Sequence, residues 1–197
     1  MNELFPIYVK LHQIQTLLVG AGNVGLEKLQ AILANSPKAK VNIVAEEVSP
    51  EVYAVIADNE NVQVSERKFE DRDLDNADLI MLATNNTALN AHIRQLASEQ
   101  HILLNVADKP SLCDFYLGSV VCKGDLKIGV STNGKSPTIA KRIKEFLNDI
   151  IPEEIDETLE LMGQLRDNLK GDFQDKVRVL NAHTKDVLVK KSYDSTN

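Results

Sequence analysis

Thr16-Leu17-Leu18-Val19-Gly20-Ala21-Gly22-Asn23-Val24-Gly25 is the stretch that decides how this chain folds. An apolar run ends in a complete G-x-G-x-x-G, and a helical pattern follows at once from Leu26 to Leu33. The order strand, tight glycine turn, helix start is the arrangement that holds a dinucleotide pyrophosphate. Gly20 permits the turn, Gly22 lets the backbone approach the phosphates, and Gly25 lets helix and strand pack closely. The first helical N–H groups, with Asn23 and Val24 among them, then face the anion from the positive end of the helix dipole. A turn that uses its glycines for packing alone is the competing reading.

Outward from this unit, strands and helices alternate. Ile7–Val9 and Thr16–Val19 read as two short strands around a polar turn at His12-Gln13, and Ser36-Pro37 stops the first helix. Val41–Ala45 is the next core strand. Ser49-Pro50-Glu51 starts a helix, with Ser49 as N-cap and proline first. Val62–Val64 reads as a short strand, and Leu79–Ala83 as one buried on both faces. A helix over Asn90–Gln100 and a strand over Ile102–Val106 follow. This alternation predicts an α/β fold, a Rossmann-type doubly wound parallel sheet.

The pattern changes after Pro110. Phe115–Val121 and Leu126–Ser131 read as two strands joined through Cys122-Lys123-Gly124-Asp125. An amphipathic helix runs from Thr138 to Ile150, and Pro152 punctuates it. From Glu153 to about Lys190 the chain reads as helix throughout, with Leu159, Leu161, Met162, Leu165, Leu169, Phe173, Val177 and Leu180 at helical spacings. So long a helical stretch has too little chain around it to bury its apolar faces. A homodimer, with the last third packed on its mate, is expected, and a helical cap folded back on the first domain is the alternative.

Composition narrows the function. The 197 residues are 43% apolar and 26% charged, and carry a formal charge of −7. That balance argues against nucleic acid as a partner, which calls for a broad basic face. It also means that an anionic ligand must be met by a local concentration of cations and N–H groups. No run of about 18 apolar residues appears, so no membrane span is expected, and the opening Met1–Pro6 lacks the pattern of a signal peptide. Cys113 and Cys122 have no C-x-x-C spacing and His12, His92, His101 and His183 are scattered, so no metal site is expected, with His183 a remote candidate. A cytoplasmic protein with reduced thiols fits.

The candidate site residues lie at strand ends. Ala45 and Glu46 fall where a dinucleotide's adenosine ribose meets its acidic partner, and no Arg or Lys follows immediately to hold a 2′-phosphate, which favours NAD over NADP. Thr84 and Asn85 can line the nicotinamide half, although the same segment also suits a helix N-cap. Asp108, at the end of another strand, is either a general base beside the nicotinamide or a turn-forming aspartate before Pro110. Ser131, Thr132, Asn133, Gly134, Lys135 and Ser136 gather hydroxyls, a glycine and a cation before a helix start, which makes an anion cradle.

Taken in order, these motifs are recognisable. The chain resembles the precorrin-2 dehydrogenase family, which includes the N-terminal part of siroheme synthases. The resemblance rests on Leu4-Phe5-Pro6-Ile7, Val19–Gly25 with Lys28, Ala83-Thr84-Asn85-Asn86, Asn105-Val106-Ala107-Asp108, Phe115 with Ser119, and Ser131–Pro137 with Ala140. It implies oxidation of precorrin-2 to sirohydrochlorin with NAD as hydride acceptor, and some members then insert ferrous iron. It places the family's catalytic aspartate on Asp108, its cofactor turn on Gly20, Gly22, Asn23, Val24 and Gly25, its adenosine contacts near Ala45 and Glu46, and its substrate loop on Ser131–Pro137. Lys109 and Lys135, with Lys141 and Arg142, are the cations for a tetrapyrrole bearing eight carboxylates. The expected division is an NAD-binding domain over 1–110, a small α+β dimerisation and substrate-loop region over 111–150, and a helical region over 151–197. A non-enzymatic NAD-sensing Rossmann module is the alternative. It would need the glycine turn but neither Asp108 nor the 131–137 loop.

Overall fold

The computed structural model describes residues 2–170 and 173–184. Five parallel strands form one sheet: β1 (Gln15–Ala21), β2 (Lys40–Val48), β3 (Val62–Glu66), β4 (Leu79–Leu82) and β5 (Leu103–Val106), in the order β3-β2-β1-β4-β5. Helices α1 (Asn23–Asn35), α2 (Pro50–Ile56) and α3 (Thr87–Glu99) connect them. The chain steps outward from β1 to β3, then returns to β4 on the other side of β1. The direction of winding therefore reverses between β1 and β4, and ligands of such sheets bind at the carboxyl ends of the strands there.

The central strands are apolar on both faces because both faces are covered. Leu18, Met81 and Ile43 pack under Leu29 and Ile32 of α1, while Leu17, Val19, Ile80, Leu82 and Leu104 pack under Ile93 and Ala97 of α3. All four residues of β4 are buried, as the continuous apolar run predicts.

The crossover from β3 to β4 holds a 3₁₀ turn, Asp71–Leu74, in place of a full helix. Leu74 plugs the sheet face, but a polar cavity of about 210 Å³ remains beside it, lined among others by Gln15, Asn42, Gln63 and Ser65. The turn is pinned by a guanidinium fork: Arg67 donates to Asp73 Oδ2 at 2.8 Å and Oδ1 at 2.5 Å, and the Glu70 N–H donates to Asp73 Oδ2 at 2.9 Å. The Arg67 hydrogen bonds, helped by the Glu70 N–H, hold the Asp73 carboxyl below the usual carboxylate range against the opposing effect of burial.

The chain clusters into two compact units, one comprising residues up to Val120 with Gly129–Arg142, the other Val121–Ile128 with the described residues from Ile143 onward. Strands β6 (Ser119–Lys123) and β7 (Leu126–Val130) form a two-stranded sheet, followed by α4 (Pro137–Ile150), α5 (Ile155–Asn168) and α6 (Phe173–Thr184). In the second unit the β6–β7 turn is fastened to the start of α5. Lys123, buried, pairs with Glu153. The Asp125 N–H donates to Asp156 Oδ1 at 2.7 Å, and a Cβ on Gly124, at φ +54°, would strike that carboxylate.

Three expectations need correction, and a fourth, the Ser49 N-cap, holds in position but not in its side-chain bond. Ile7–Val9 is not a strand: β1 has both edges taken by β2 and β4, and Phe5, Ile7 and Val9 remain exposed. The strand expected from Phe115 begins only at Ser119, because the Phe115 carbonyl is drawn to β5, where it accepts from Asn105 Nδ2 at 2.8 Å. Ser49 stands at the N-cap with Pro50 behind it, yet its side chain makes no cap bond and its buried Oγ has no partner. The helix expected from Glu153 to about Lys190 is two helices, α5 ending where Leu169 turns extended; residues past 184 lie outside those described.

A depressed carboxyl stabilises the fold above its unfolded pKa and loses that contribution as pH falls through the folded value. Asp73→Asn is therefore expected to lower Tm by roughly 3 °C at pH 7. The difference from the wild type should close as pH drops below about 4. A Tm gap that is as large at pH 3 as at pH 7 would contradict the account.

Candidate functional site

The glycine turn follows β1 at the carboxyl edge of the sheet. Gly20 has φ +99°, a conformation that side chains resist, and a Cβ there would lie 2.5 Å from the Ala83 carbonyl oxygen at the end of β4. A Cβ on Gly25 would lie 2.2 Å from the Gly20 carbonyl oxygen. Gly22 is different: nothing stands within 4 Å of its virtual Cβ. Two glycines thus close the backbone on itself, and the third keeps a space clear in front of α1. That helix begins without a side-chain cap. Its first N–H groups, at Asn23, Val24 and Gly25, have the geometry to cradle a pyrophosphate, so the residues present fit a dinucleotide.

Beside this turn, β2 continues past the expected end at Ala45 to Val48, and the Ser49 N–H donates to the Ala21 carbonyl at 3.1 Å. Ala45 is buried and Glu46 exposed. Lys68, which follows β3, brings its ammonium to 3.9 Å from Glu46. The sequence gives no hint of this cation, because it lies beyond the end of a different strand.

Thr84 lies at the end of β4, its methyl 3.3 Å from the virtual Cβ of Gly20. Its hydroxyl donates to Asn90 Oδ1 at 3.0 Å and accepts from the Asn86 N–H at 3.1 Å, while Asn86 caps α3 through the Leu89 N–H at 3.0 Å. Thr84 therefore shapes the edge with its backbone and methyl, and its hydroxyl is already engaged. Asn85 is exposed beside it.

Asp108 follows β5 at φ +55° and is exposed. Aspartate tolerates this left-handed conformation better than most residues, but it remains uncommon and marks a turn under constraint. The constraint comes from both sides. The Ala107 N–H donates to the Leu82 carbonyl at 2.9 Å, and the Cys113 sulfur accepts from the Val106 N–H at 3.2 Å. Beneath the turn, Asn105 is buried, and its Oδ1 accepts from Lys28 Nζ at 2.6 Å. Burial lowers the pKa of Lys28, and the charges of Cys113, Asp108 and Glu27 oppose that effect. A residue of α1, the helix behind the glycine turn, thus reaches the base of the turn that carries Asp108. Lys28 appears in the sequence only as part of the quoted resemblance; its contact with a residue 77 positions away leaves no local signal.

The Ser131–Ser136 loop is built around a tight turn in which Asn133 and Gly134 have φ +53° and +72°, closed by Lys135 N–H to the Thr132 carbonyl at 3.1 Å. Its hydroxyls serve the loop itself. Thr132 Oγ1 donates to the Ser136 carbonyl at 3.0 Å and accepts from the Ser136 N–H, Ser131 Oγ accepts from the Asn133 N–H, and Ser136 Oγ accepts from the Ile139 N–H at the start of α4. Lys135, like Lys109, is exposed. The side chain of His183 lies outside the described residues. Among the described residues no group of three or more His, Cys, Asp or Glu could hold a metal ion, and no helix is long and apolar enough to cross a membrane.

Residues 7–119 match the sequence model of a family described as putative NAD(P)-binding, and residues 123–149 match one described as sirohaem biosynthesis protein, central. A siroheme synthase of Baumannia cicadellinicola subsp. Homalodisca coagulata is 33% identical over 168 residues, 85% of this chain and 36% of that protein. One of Vesicomyosocius okutanii subsp. Calyptogena okutanii is 34% identical over 173 residues, 88% of this chain and 36% of that protein. The chain thus spans about a third of the length of these curated relatives. Among solved structures, one titled SirC, precorrin-2 dehydrogenase, superposes with a TM-score of 0.73 at 25% identity, covering 93% of this chain and 90% of that one.

The glycine geometry separates two kinds of damage. Gly22→Ala is expected to leave Tm unchanged while weakening dinucleotide affinity about 10-fold or more, since the methyl enters only the cleared space. Gly25→Ala is expected to lower Tm, because its methyl meets backbone. Calorimetric titration with NAD and thermal unfolding check both, and equal losses of stability in the two variants would contradict the assignment.

Proposed function

Since the chain belongs to the NAD(P)-binding, precorrin-2 dehydrogenase-type family of siroheme biosynthesis, we propose that it oxidises precorrin-2 to sirohydrochlorin with NAD as the acceptor. The observation that carries this reading is the shared edge: the glycine turn packs against the end of β4, and the constrained Asp108 turn is hydrogen-bonded to the same strand through Ala107 and Leu82. When bound, the nicotinamide ring supplies a site for one hydride. The substrate loses that hydride and one proton, and the proton goes to the carboxylate of Asp108 acting as general base. Asn23, Val24 and the three glycines hold the pyrophosphate, Thr84 and Asn85 flank the nicotinamide half, and Ala45 and Glu46 meet the adenosine ribose. The carboxylate of Glu46 accepts from ribose hydroxyls and disfavours a 2′-phosphate, which supports NAD over NADP.

The substrate is a polyanion and the protein is acidic, so binding depends on local donors. Lys109, Lys135 and those N–H groups of the Ser131–Ser136 loop that its own turn does not use are assigned to its carboxylates. The free thiols of Cys113 and Cys122 suit a reducing compartment such as the cytoplasm. A homodimer is part of the same reading. Ile139, Ile143, Phe146 and Ile150 form an exposed apolar stripe along α4, a face that a second copy of the chain would cover.

Anaerobic incubation with precorrin-2 and NAD tests the activity, with sirohydrochlorin and NADH read by absorbance. The wild type is expected to form both in equal amounts, and Asp108→Asn to slow turnover about 100-fold or more with Tm unchanged. No sirohydrochlorin from the wild type would refute the function; wild-type turnover in the variant would remove Asp108 from its role. Ferrous iron added as a second substrate tells whether the product is carried on to siroheme. For the dimer, Phe146→Glu is expected to convert a dimeric sedimentation profile to a monomeric one, and a monomeric wild type would overturn it.

A further inference from the structure

Lys28 sits on the inward side of α1, next in sequence to the fully buried Leu29. A lysine there carries a desolvation cost that a methionine of similar length would not. Neutralisation does not offset it, since among the described residues Lys28 forms no ion pair. Its hydrogen-bond acceptor is the neutral amide oxygen of Asn105, at 2.6 Å. That amide is itself held in orientation, because its Nδ2 donates to the Phe115 carbonyl at 2.8 Å and lies 3.6 Å from the Cys113 sulfur. Cys113 in turn accepts from the Val106 N–H. The result is an amine fixed under the turn that carries Asp108, held there by a single oriented amide.

We propose that Lys28 is a positioning residue for Asp108: through Asn105 it fixes the turn that carries the aspartate to the cofactor-binding helix. The inference rests on the reading of Asp108 as the base. It explains why a lysine occupies a position where an apolar side chain would pack more cheaply. It also links the two halves of the site, because the helix that receives the pyrophosphate is the one that holds the base in place.

Two measurements test it. In the unliganded protein, Lys28 Nζ is followed by nitrogen-15 NMR through a pH titration. Asp108 raises the Lys28 pKa, so Asp108→Asn is expected to lower the midpoint further; an unchanged midpoint would overturn this placement of Lys28. In the turnover assay, Lys28→Met and Lys28→Gln are expected to lower kcat roughly 10-fold or more, with KM for NAD within about 3-fold of the wild type and Lys28→Arg partly restoring the rate. The Lys28→Met/Asp108→Asn double variant is expected to be no slower than Asp108→Asn alone. Wild-type kcat in Lys28→Met beside a slow Asp108→Asn would overturn the role of Lys28 and leave the base in place, as would a double variant that multiplies the two losses. Wild-type kcat in Asp108→Asn would overturn both.

Discussion

Backbone at the end of β1 comes closer to backbone at the end of β4 than any side chain allows. The virtual Cβ atoms of Gly20 and Gly25 fall 2.5 Å and 2.2 Å from carbonyl oxygens, so the turn exists only with glycine at both positions. This contact fixes where α1 starts and which way its free N–H groups point. It also brings the turn against Ala83 and Thr84, at the place where the winding of the sheet reverses. The site is thus a consequence of how the central pair of strands ends, and the rest of the core, apolar on both faces of β1 and β4, keeps that pair rigid.

A second tie runs from α1 across to β5. Lys28 on Asn105, Asn105 on the Phe115 carbonyl and the Cys113 sulfur on the Val106 N–H make one connected set of polar contacts. It supports Asp108 in a conformation that costs free energy locally. Strain of this kind persists where neighbouring contacts over-determine the backbone, and here they come from three different segments of chain.

The sequence made the winding legible because its strongest signals were local. The apolar runs of β1 and β4 and the three glycines each write their conformation in a few consecutive residues. Asp108 was visible as a candidate from its place after a strand, though not its left-handed backbone. Features that depend on partners were not legible. Ile7–Val9 has the alternation of a strand and no vacant edge on β1 to join. Phe115 reads as strand but is claimed by a side-chain amide. Ser49 has the residue type of a cap, yet its hydroxyl is turned inward and unpaired. Lys28 and Lys68 matter through residues distant in sequence, and no periodicity encodes such a meeting.

Whether the dinucleotide cradle and Asp108 serve one ligand-filled edge decides the proposed chemistry. A crystal structure of the NAD complex measures this most directly. The pyrophosphate should lie over Gly22 and the start of α1, and the nicotinamide ring at the carboxyl ends of β4 and β5, with the Asp108 carboxylate facing it. A nicotinamide ring seated elsewhere, such as the polar cavity beside Gln15 and Asn42, or an Asp108 carboxylate turned away from the ring, would contradict it.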